Sequence, residues 1–548
     1  MTVLPSRFPS DHRPQRSPAL LALGVSAGTV LALIALGHDG RRAAQVTLLA
    51  LPALAWLAWP VQGIAAHRLR TAFVWLWAMA FALDGVARAY LLDAYQAAPD
   101  SALVLGAAAN TNGRESAEYL SMHWRSVAVW SATLFFAALL LARCARRGAR
   151  ADMHWPRWAI ALLGVLLLVS ALGYASKPWR RLHPLAYWGQ WGVSVQALRA
   201  SWADQQQLRS EALAKAKRAV PVVAREGPAT IVLVIADSIN RDNMSLYGYG
   251  RATTPRLQAL KQQLDGDMVV LRNAWSADAS TLPALRNILG FGQPASDDPQ
   301  HVLALARAAG YKVWWMSNHD DLAIEQQHAR LADVVEMVNR VPGRAGASLD
   351  GELLDCVQEA LQDPAERKLI VVHLMGAHPH YSLRFPSGEN PFDDHVDAVE
   401  AGLVKRGRSA WVRQFRHEYD AALMYHDFVV AETLQLTRMA GPAEEYRAWM
   451  YLSDHGQEVG HVSDRAGHSP STASGYRIPT VIWRNLPVSP AAPADMERRP
   501  FRADWAAWTL ADLLHIRWAG GVPSRNVLSD SYRWTAPVLP VDVATFLE

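Results

Sequence analysis

Cysteine is nearly absent: Cys144 and Cys356 are the only two in 548 residues. In the membrane topology derived below they fall on opposite sides of the bilayer, so no intramolecular disulfide is expected. Strong charge is absent too. The formal net charge is +4, and the arginines gather in short loops, a pattern of membrane topology rather than of nucleic-acid binding. No internal repeat and no low-complexity tract interrupts the chain. No small-residue cleavage site follows the first apolar run, and further apolar runs come after it, so a cleaved signal peptide is not expected.

What is there is apolar and unevenly spread. Hydrophobic residues make up 51% of the chain, and the first third is dominated by Ala, Leu, Val and Trp. Five runs there suit a bilayer span of roughly 20 residues: Ala19–Gly37, Ala44–Ala66, Ala72–Leu92, Ser126–Arg143 and Trp158–Ala175. The second holds Pro52 and Pro60, tolerated as kinks inside a bundle. The third holds Asp84, a costly intramembrane charge expected to face the bundle and Arg88. Basic residues mark one side: Arg7, Arg13 and Arg16; then His67, Arg68 and Arg70; then Arg143, Arg146, Arg147, Arg150 and Arg157, with Arg41 and Arg42 as exceptions. By the positive-inside rule the N-terminus is cytoplasmic and everything after Ser176 is external, the periplasm in a bacterium with two membranes.

The external loop Asp93–Arg125 reads as short amphipathic helices on the membrane surface. Trp179, Trp188 and Trp191 with Arg180 and Arg181 suit a membrane interface, and Ser201–Ala219 a polar helical connector. From about Gly227, apolar strand candidates (Thr230–Ala236, Val269–Asn273, Lys312–Met316, Leu369–Leu374, Trp449–Leu452, Thr480–Trp483) alternate with helical ones (Leu282–Leu289, Gly351–Leu361, Trp411–Met439, Phe501–His515). That alternation predicts a parallel or mixed sheet with helices on both faces. The expected domains are 1–176, a five-helix transmembrane domain; 177–226, interface and connector helices; and 227–548, an α/β catalytic domain.

Two of those strands end in acids. Ile231–Ala236 runs into Asp237, and Trp449–Leu452 into Ser453-Asp454-His455-Gly456. Ligands collect at the carboxyl ends of strands in open α/β sheets, so both acids and His455 are metal-ligand candidates of the alkaline phosphatase and sulfatase kind. After the strand at Val269–Asn273, the run WSADASTLPALRNILG carries small polar residues into a helix start with Pro283 near its first turn. A hydroxyl there faces the positive end of the helix dipole, which favours a phosphoryl group. Thr281 is the candidate nucleophile, with Ser280 and Ser276 as rivals; the plain alternative is a threonine that only caps the helix.

The stretch DSINRDNMSLYGYGRATTPRL resembles the opening of the catalytic domain in bacterial phosphoethanolamine transferases. These are membrane-anchored enzymes of the alkaline phosphatase superfamily that decorate lipopolysaccharide. NAWSADASTLP resembles their nucleophile segment, with Asn273 and Thr281 eight places apart. HLMGAH resembles the strand end bearing a substrate-side histidine, here His378, and SDHGQEVG the zinc-binding Asp454 and His455, with His468 as a further histidine soon after. TNGRE in the external loop also matches, and the phrases around NRDNMSLYGY and HLMGAH look closest to the branch acting on the lipopolysaccharide core. Three departures stand out. Asp237 replaces the family's usual Glu, the periplasmic disulfide cysteines of the lipid A branch are missing, and an Asn preceding TxxxE by four places is Ala107 here, with Asn110 nearby.

The resemblance implies one tight zinc site, with room for a second ion, on Asp237, Thr281, Asp454 and His455. It implies a phospho-threonine formed from phosphatidylethanolamine with release of diacylglycerol, and transfer to a lipopolysaccharide core or lipid A acceptor. His378 and His468 would hold phosphoryl oxygens, protonate a leaving group, or bind a second zinc. Thr111 and Glu115, one helical turn apart, would meet the lipid headgroup. The expected enzyme is a monomer of the inner membrane that binds membrane lipids and no nucleic acid. His319, His373, His380 and His461 read as ordinary loop imidazoles. A tethered phosphatase or sulfatase and a glycerophosphate transferase are the alternatives. Sulfatase chemistry is disfavoured, because Thr cannot become formylglycine and Arg286 sits one place late.

Overall fold

The computed structural model describes residues 18–111, 113–149, 157–203, 205–291, 300–340, 348–393, 396–485 and 493–543. Arg7, Arg13, Arg16 and Arg150 of the basic set, and Asn112 of TNGRE, lie outside them. The chain forms two compact units, Met1–Leu105 with His123–Gln196, and Gly106–Met122 with Ala197–Glu548.

The first unit is helical: α1 (Pro18–Gly37), α2 (Gly40–Ala55), α3 (Ile64–Tyr95), α4 (Ala102–Asn110), α5 (Gly113–Arg146) and α6 (Arg157–Ala175), except that the end of α4 from Gly106 and the start of α5 up to Met122 belong to the second unit. Among the described residues, four helices are long and apolar enough to cross a membrane: Ala19–Gly37, Ile64–Tyr95, Glu115–Arg146 and Arg157–Ala175. The expected span Ala44–Ala66 is not a single helix. It stops at Ala55, adds one 3-10 turn to Ala58, and breaks at Trp59-Pro60, before Gly63 with φ +85° starts α3. A proline's missing N–H and fixed φ explain the break. In the loop Asp93–Arg125, α4 is a short helix, as expected, but Gly113 opens α5, a helix of 34 residues that continues into the next span instead of ending at the loop.

Two buried charges inside this unit, Asp84 and Arg70, have polar partners. Asp84 Oδ1 accepts from Arg88 Nε at 2.8 Å and Trp188 Nε1 at 2.9 Å, and Oδ2 lies 2.8 Å from His38 Nε2. Arg70 is fully buried, and its Nη1 donates to the carbonyls of Trp59 at 2.7 Å and Ala149 at 2.8 Å. It closes loose helix-end carbonyls rather than standing as a loop charge. Removing one partner of such a buried cluster strands the others, at about 3–5 kcal/mol. Asp84→Leu is therefore expected to lower detergent-solubilised stability by that order. A loss under about 1 kcal/mol in chemical or thermal denaturation contradicts the pairing.

The second unit is built on a seven-stranded sheet. Its strands are β1 (Ala229–Ala236), β2 (Met268–Val270), β3 (Lys312–Ser317), β4 (Val334–Met337), β5 (Arg367–His373), β6 (Tyr446–Ser453) and β7 (Thr480–Arg484). Their spatial order is β2-β7-β6-β1-β5-β3-β4, and β7 alone runs antiparallel to its neighbours. β1 reads ATIVLVIA and is buried along its whole length, as a strand covered on both faces must be. Ile231, Leu233 and Ile235 face one core, shared with Leu285 and Ile288 of α7 (Thr281–Leu289). Val232 and Val234 face the other, shared with Val357 of α8 (Leu353–Gln362) and Tyr419 and Val430 of α9 (Ala410–Met439). The expected helix Phe501–His515 is shorter. Phe501–Arg502 is a strand paired in parallel with Ala274–Trp275, and only Ala506–Leu513 is α-helical.

Candidate active site

Register brings the two acids together. β1 and β6 pair in parallel with Ala236 opposite Ser453, so the next residue on each strand is an aspartate. On the other side of β1, β5 pairs Ile235 with His373, and β3 pairs Ser317 with His373. Four adjacent strands thus deliver Asp454-His455, Asp237, the loop to His378, and His319 to one edge, where parallel sheets place their ligands.

The turn after β1 is tight. Ser238 sits at φ +63°, a conformation rare for side-chain-bearing residues and concentrated at functional sites. Its N–H donates to Asp454 Oδ1 at 3.1 Å, and its hydroxyl to Asp237 Oδ1 at 2.6 Å. Behind it, Gly376 has φ +57°, and a Cβ there would stand 2.5 Å from the Asp237 carbonyl oxygen. Asp350 fixes the same loop, since its two oxygens accept from the N–H groups of Met375 at 2.9 Å and Gly376 at 2.8 Å. Gly376→Ala is expected to cost about 1–2 kcal/mol for the left-handed φ alone and to displace Asp237. Product formation should fall further than the melting temperature accounts for. Full activity in a destabilised protein contradicts that role.

Thr281 opens α7, and its Oγ1 donates to Asp237 Oδ2 at 3.0 Å and lies 3.4 Å from His455 Nε2. That nitrogen is 3.7 Å from Asp237 Oδ1 and 3.6 Å from Asp454 Oδ2. The rival hydroxyls are committed elsewhere. Ser276 Oγ donates to the Asp454 carbonyl, and Ser280 Oγ to Asp278 Oδ1 at 2.9 Å. Ser280, not Thr281, holds the N-cap position, and its side chain makes no capping bond.

The donor set fits a cation. Asp237, Asp454 and His455 are fully buried, and one ligand atom from each lies within 4.8 Å of the others. Asp454 Oδ2 is buried and has no hydrogen-bond partner, while Oδ1 is occupied by two N–H groups. His455 Nδ1 lies 2.7 Å from the Gly456 carbonyl, which can only accept, so Nδ1 carries the hydrogen and Nε2 presents its lone pair to the acids. Burial pushes Asp454 up, and the neighbouring Asp237 pushes it further. Burial alone would raise Asp237 as well, but the positive charge that His378, His455 and His319 carry when protonated outweighs it and holds that carboxyl low; with His378 neutral, His455 and His319 remain to do so. Burial would lower His455, yet Asp454 and Asp237 raise it. Two buried carboxylates side by side are relieved by a proton on one of them or by a cation between them. Carboxylate, imidazole and hydroxyl donors in this number suit zinc.

The His468 ring lies tilted beside His455, with ring centroids 4.7 Å apart, and the His378 ring stands 6.4 Å from that of His468. Both are half-buried, and burial keeps them neutral, His468 down to about 3. His378 Nδ1 has no hydrogen-bond partner. Both rings thus lie beside the group and are less buried than its fully buried acids. Thr111 and Glu115 are half-buried in the segment 106–122, which belongs to this same compact unit; the Thr111 hydroxyl donates to the Ala107 carbonyl at 2.7 Å. One site residue carried no role in the sequence. His319 Nε2 lies 3.8 Å from Asp237 Oδ2, and its ring stacks on His373 at 4.2 Å. Its only signal was position, two places past the end of β3 at the ligand edge.

The sulfatase family model matches residues 229–514, more than half of the chain and nearly all of the sheet that builds this edge. The chain belongs to the sulfatase family. It is similar to the phosphoethanolamine transferase EptC of Escherichia coli K12, 29% identical over 460 residues, 78% of this chain and 77% of that one. It is also similar to the phosphoethanolamine transferase CptA of Salmonella typhimurium, 27% identical over 459 residues with the same coverage of both chains. The zinc complex of the Escherichia coli EptC periplasmic domain aligns with a TM-score of 0.53 and 28% identity, covering 59% of this chain and 94% of that one. The integral membrane protein EptA of Neisseria meningitidis aligns over 94% of this chain and 96% of its own, with a TM-score of 0.53 and 18% identity, which is a likeness of fold. This sulfatase-family chain thus joins a membrane-spanning helical region to a sulfatase-like α/β domain, and its similar proteins are named transferases.

Proposed function

We propose that this protein transfers phosphoethanolamine from phosphatidylethanolamine to lipopolysaccharide, at a core heptose phosphate or a lipid A phosphate, through a phospho-threonine on Thr281. The carrying observation is the convergence of Thr281 Oγ1 with Asp237, Asp454 and His455 at the edge of the sheet. Asp237, Asp454, His455 and the Thr281 oxygen would hold zinc, which supplies a lowered hydroxyl pKa and positive charge for phosphoryl oxygens. Thr281 Oγ1 forms the bond to phosphorus, the bond from phosphorus to the diacylglycerol oxygen breaks, and that oxygen takes a proton to leave as diacylglycerol. An acceptor phosphate or hydroxyl oxygen then displaces Thr281. The first N–H groups of α7 face the phosphoryl oxygens, as helix N-termini face anions. His378 and His468, neutral beside the acids, bind the phosphoryl group by N–H donation. Thr111 and Glu115 hold the headgroup.

The enzyme is read as a monomer of the bacterial inner membrane, with α2 and its 3-10 turn, Gly40–Ala58, as a fifth crossing beside the four long helices; that odd number of crossings puts the N-terminus in the cytoplasm and the α/β unit in the periplasm. Donor choice tests the function. Full-length protein in bilayers is offered phosphatidylethanolamine or phosphatidylglycerol, each labelled in its headgroup. Label from phosphatidylethanolamine alone should reach Thr281. Label from phosphatidylglycerol alone would make the protein a glycerophosphate transferase, and release only to water would make it a hydrolase.

A further inference from the structure

Two polar clamps join the segment 106–122 to the loops that carry the site histidines. At the end of α4, Asn110 Nδ2 donates to Asp321 Oδ1. Asp321 Oδ2 lies 3.2 Å from Nδ1 of His319, whose Nε2 faces Asp237. In the second turn of α5, Glu118 Oε2 accepts from Arg384 Nη2 at 2.7 Å, while Arg384 Nε donates to the carbonyl of His378 at 2.9 Å. The side chains of Arg384 and Glu118 are 3% and 13% exposed, so this is a buried pair and not a surface one. Thr111 and Glu115 lie between the clamps, and Glu118 is three residues past Glu115, on the same helical face.

Holding the segment in place does not require these charges. Met122 already buries itself in the apolar core against the sheet. A buried ion pair is a costly anchor compared with apolar contact, and what it adds is defined geometry. Arginine's planar fork suits that task, because one rigid group fixes two partners at once. Here the partners are the turn after Glu115 and the backbone of His378.

We infer that Asn110, Glu118, Asp321 and Arg384 are positioning residues that set the distance from Thr111 and Glu115 to His319 and His378. The inference rests on the proposed transferase reading, in which Thr111 and Glu115 hold the headgroup and His378 the phosphoryl group. The clamps then fix the span between the donor's amino end and its phosphorus, and so which headgroup length is accepted.

The test uses full-length Glu118→Gln, Arg384→Gln and the double variant. Hydrogen exchange is followed in residues 106–122 and 375–384 without substrate, and KM and kcat are measured for phosphatidylethanolamine. Each single variant should speed exchange in both segments and raise KM by about tenfold, the scale of one lost charged hydrogen bond. The value of kcat should stay within about threefold, and the double variant should be no worse than either single one. Faster exchange in one segment only, an unchanged KM, or equal falls in kcat and stability with KM intact would overturn the inference. If wild-type protein forms no adduct, the transferase reading fails by itself. Exchange that still rises in both segments then supports the clamp, and exchange that does not rise in both removes it.

Discussion

Thr281→Ala should melt close to the parent protein and form neither a Thr281 adduct nor product. Thr281 starts α7, so a purely structural threonine would cost about 0.5–2 kcal/mol on replacement and leave a folded, active enzyme. The geometry argues otherwise. Ser280 holds the cap position, and the Thr281 hydroxyl is turned onto Asp237 Oδ2 at 3.0 Å. Losing a covalent nucleophile removes most of the rate while the fold survives, a drop of several orders of magnitude. Thr281→Ser keeps a hydroxyl at the same place and should retain partial activity with a phosphoserine adduct. A Thr281→Ala protein that makes product at a comparable rate would move the chemistry to another group.

The second large effect is expected at the acids. Asp454→Ala with His455→Ala should lose bound zinc, read by elemental analysis, and lose activity with it. Asp454 Oδ2 and His455 Nε2 have their other atoms satisfied by backbone groups and are left facing each other at 3.6 Å. That is the arrangement of ligands held ready by their surroundings. Because the substitutions also remove a buried anion, the doubly substituted protein should be at least as stable as metal-stripped wild type. Asp237→Glu should keep some zinc and some activity, since glutamate offers the same carboxylate one methylene further out. Zinc retained at wild-type content by the double variant contradicts the site.

Local pattern made much of this legible. Unbroken apolar runs marked β1 and β6, and an acid directly after each marked the ligand edge; pairing Ala236 with Ser453 then turned two distant motifs into one site. What stayed hidden depends on neighbours far away in sequence. His319 follows β3 as an unremarkable loop histidine, and it matters only because β3 lies beside β5, one strand from β1. Asp350, Glu118 and Arg384 act across 25 to 266 positions, beyond the reach of any periodicity. Hydropathy also misjudged helix ends. The polar start of α5 read as a short amphipathic helix on the membrane surface because its side chains belong to the sheet unit, and the run ending near Ala66 looked continuous because Pro60 and Gly63 are minor in an average of hydropathy. Phe501–Arg502, helical by pattern, is drawn into a strand by pairing with Ala274–Trp275.

The most direct test of the central claim is mass spectrometry of lipopolysaccharide from cells carrying the full-length gene, its Thr281→Ala version, or neither. Phosphoethanolamine should appear on a core or lipid A phosphate only with the unaltered gene, and diacylglycerol should rise with it. Identical lipopolysaccharide in all three, or the same modification with Thr281→Ala, would contradict it.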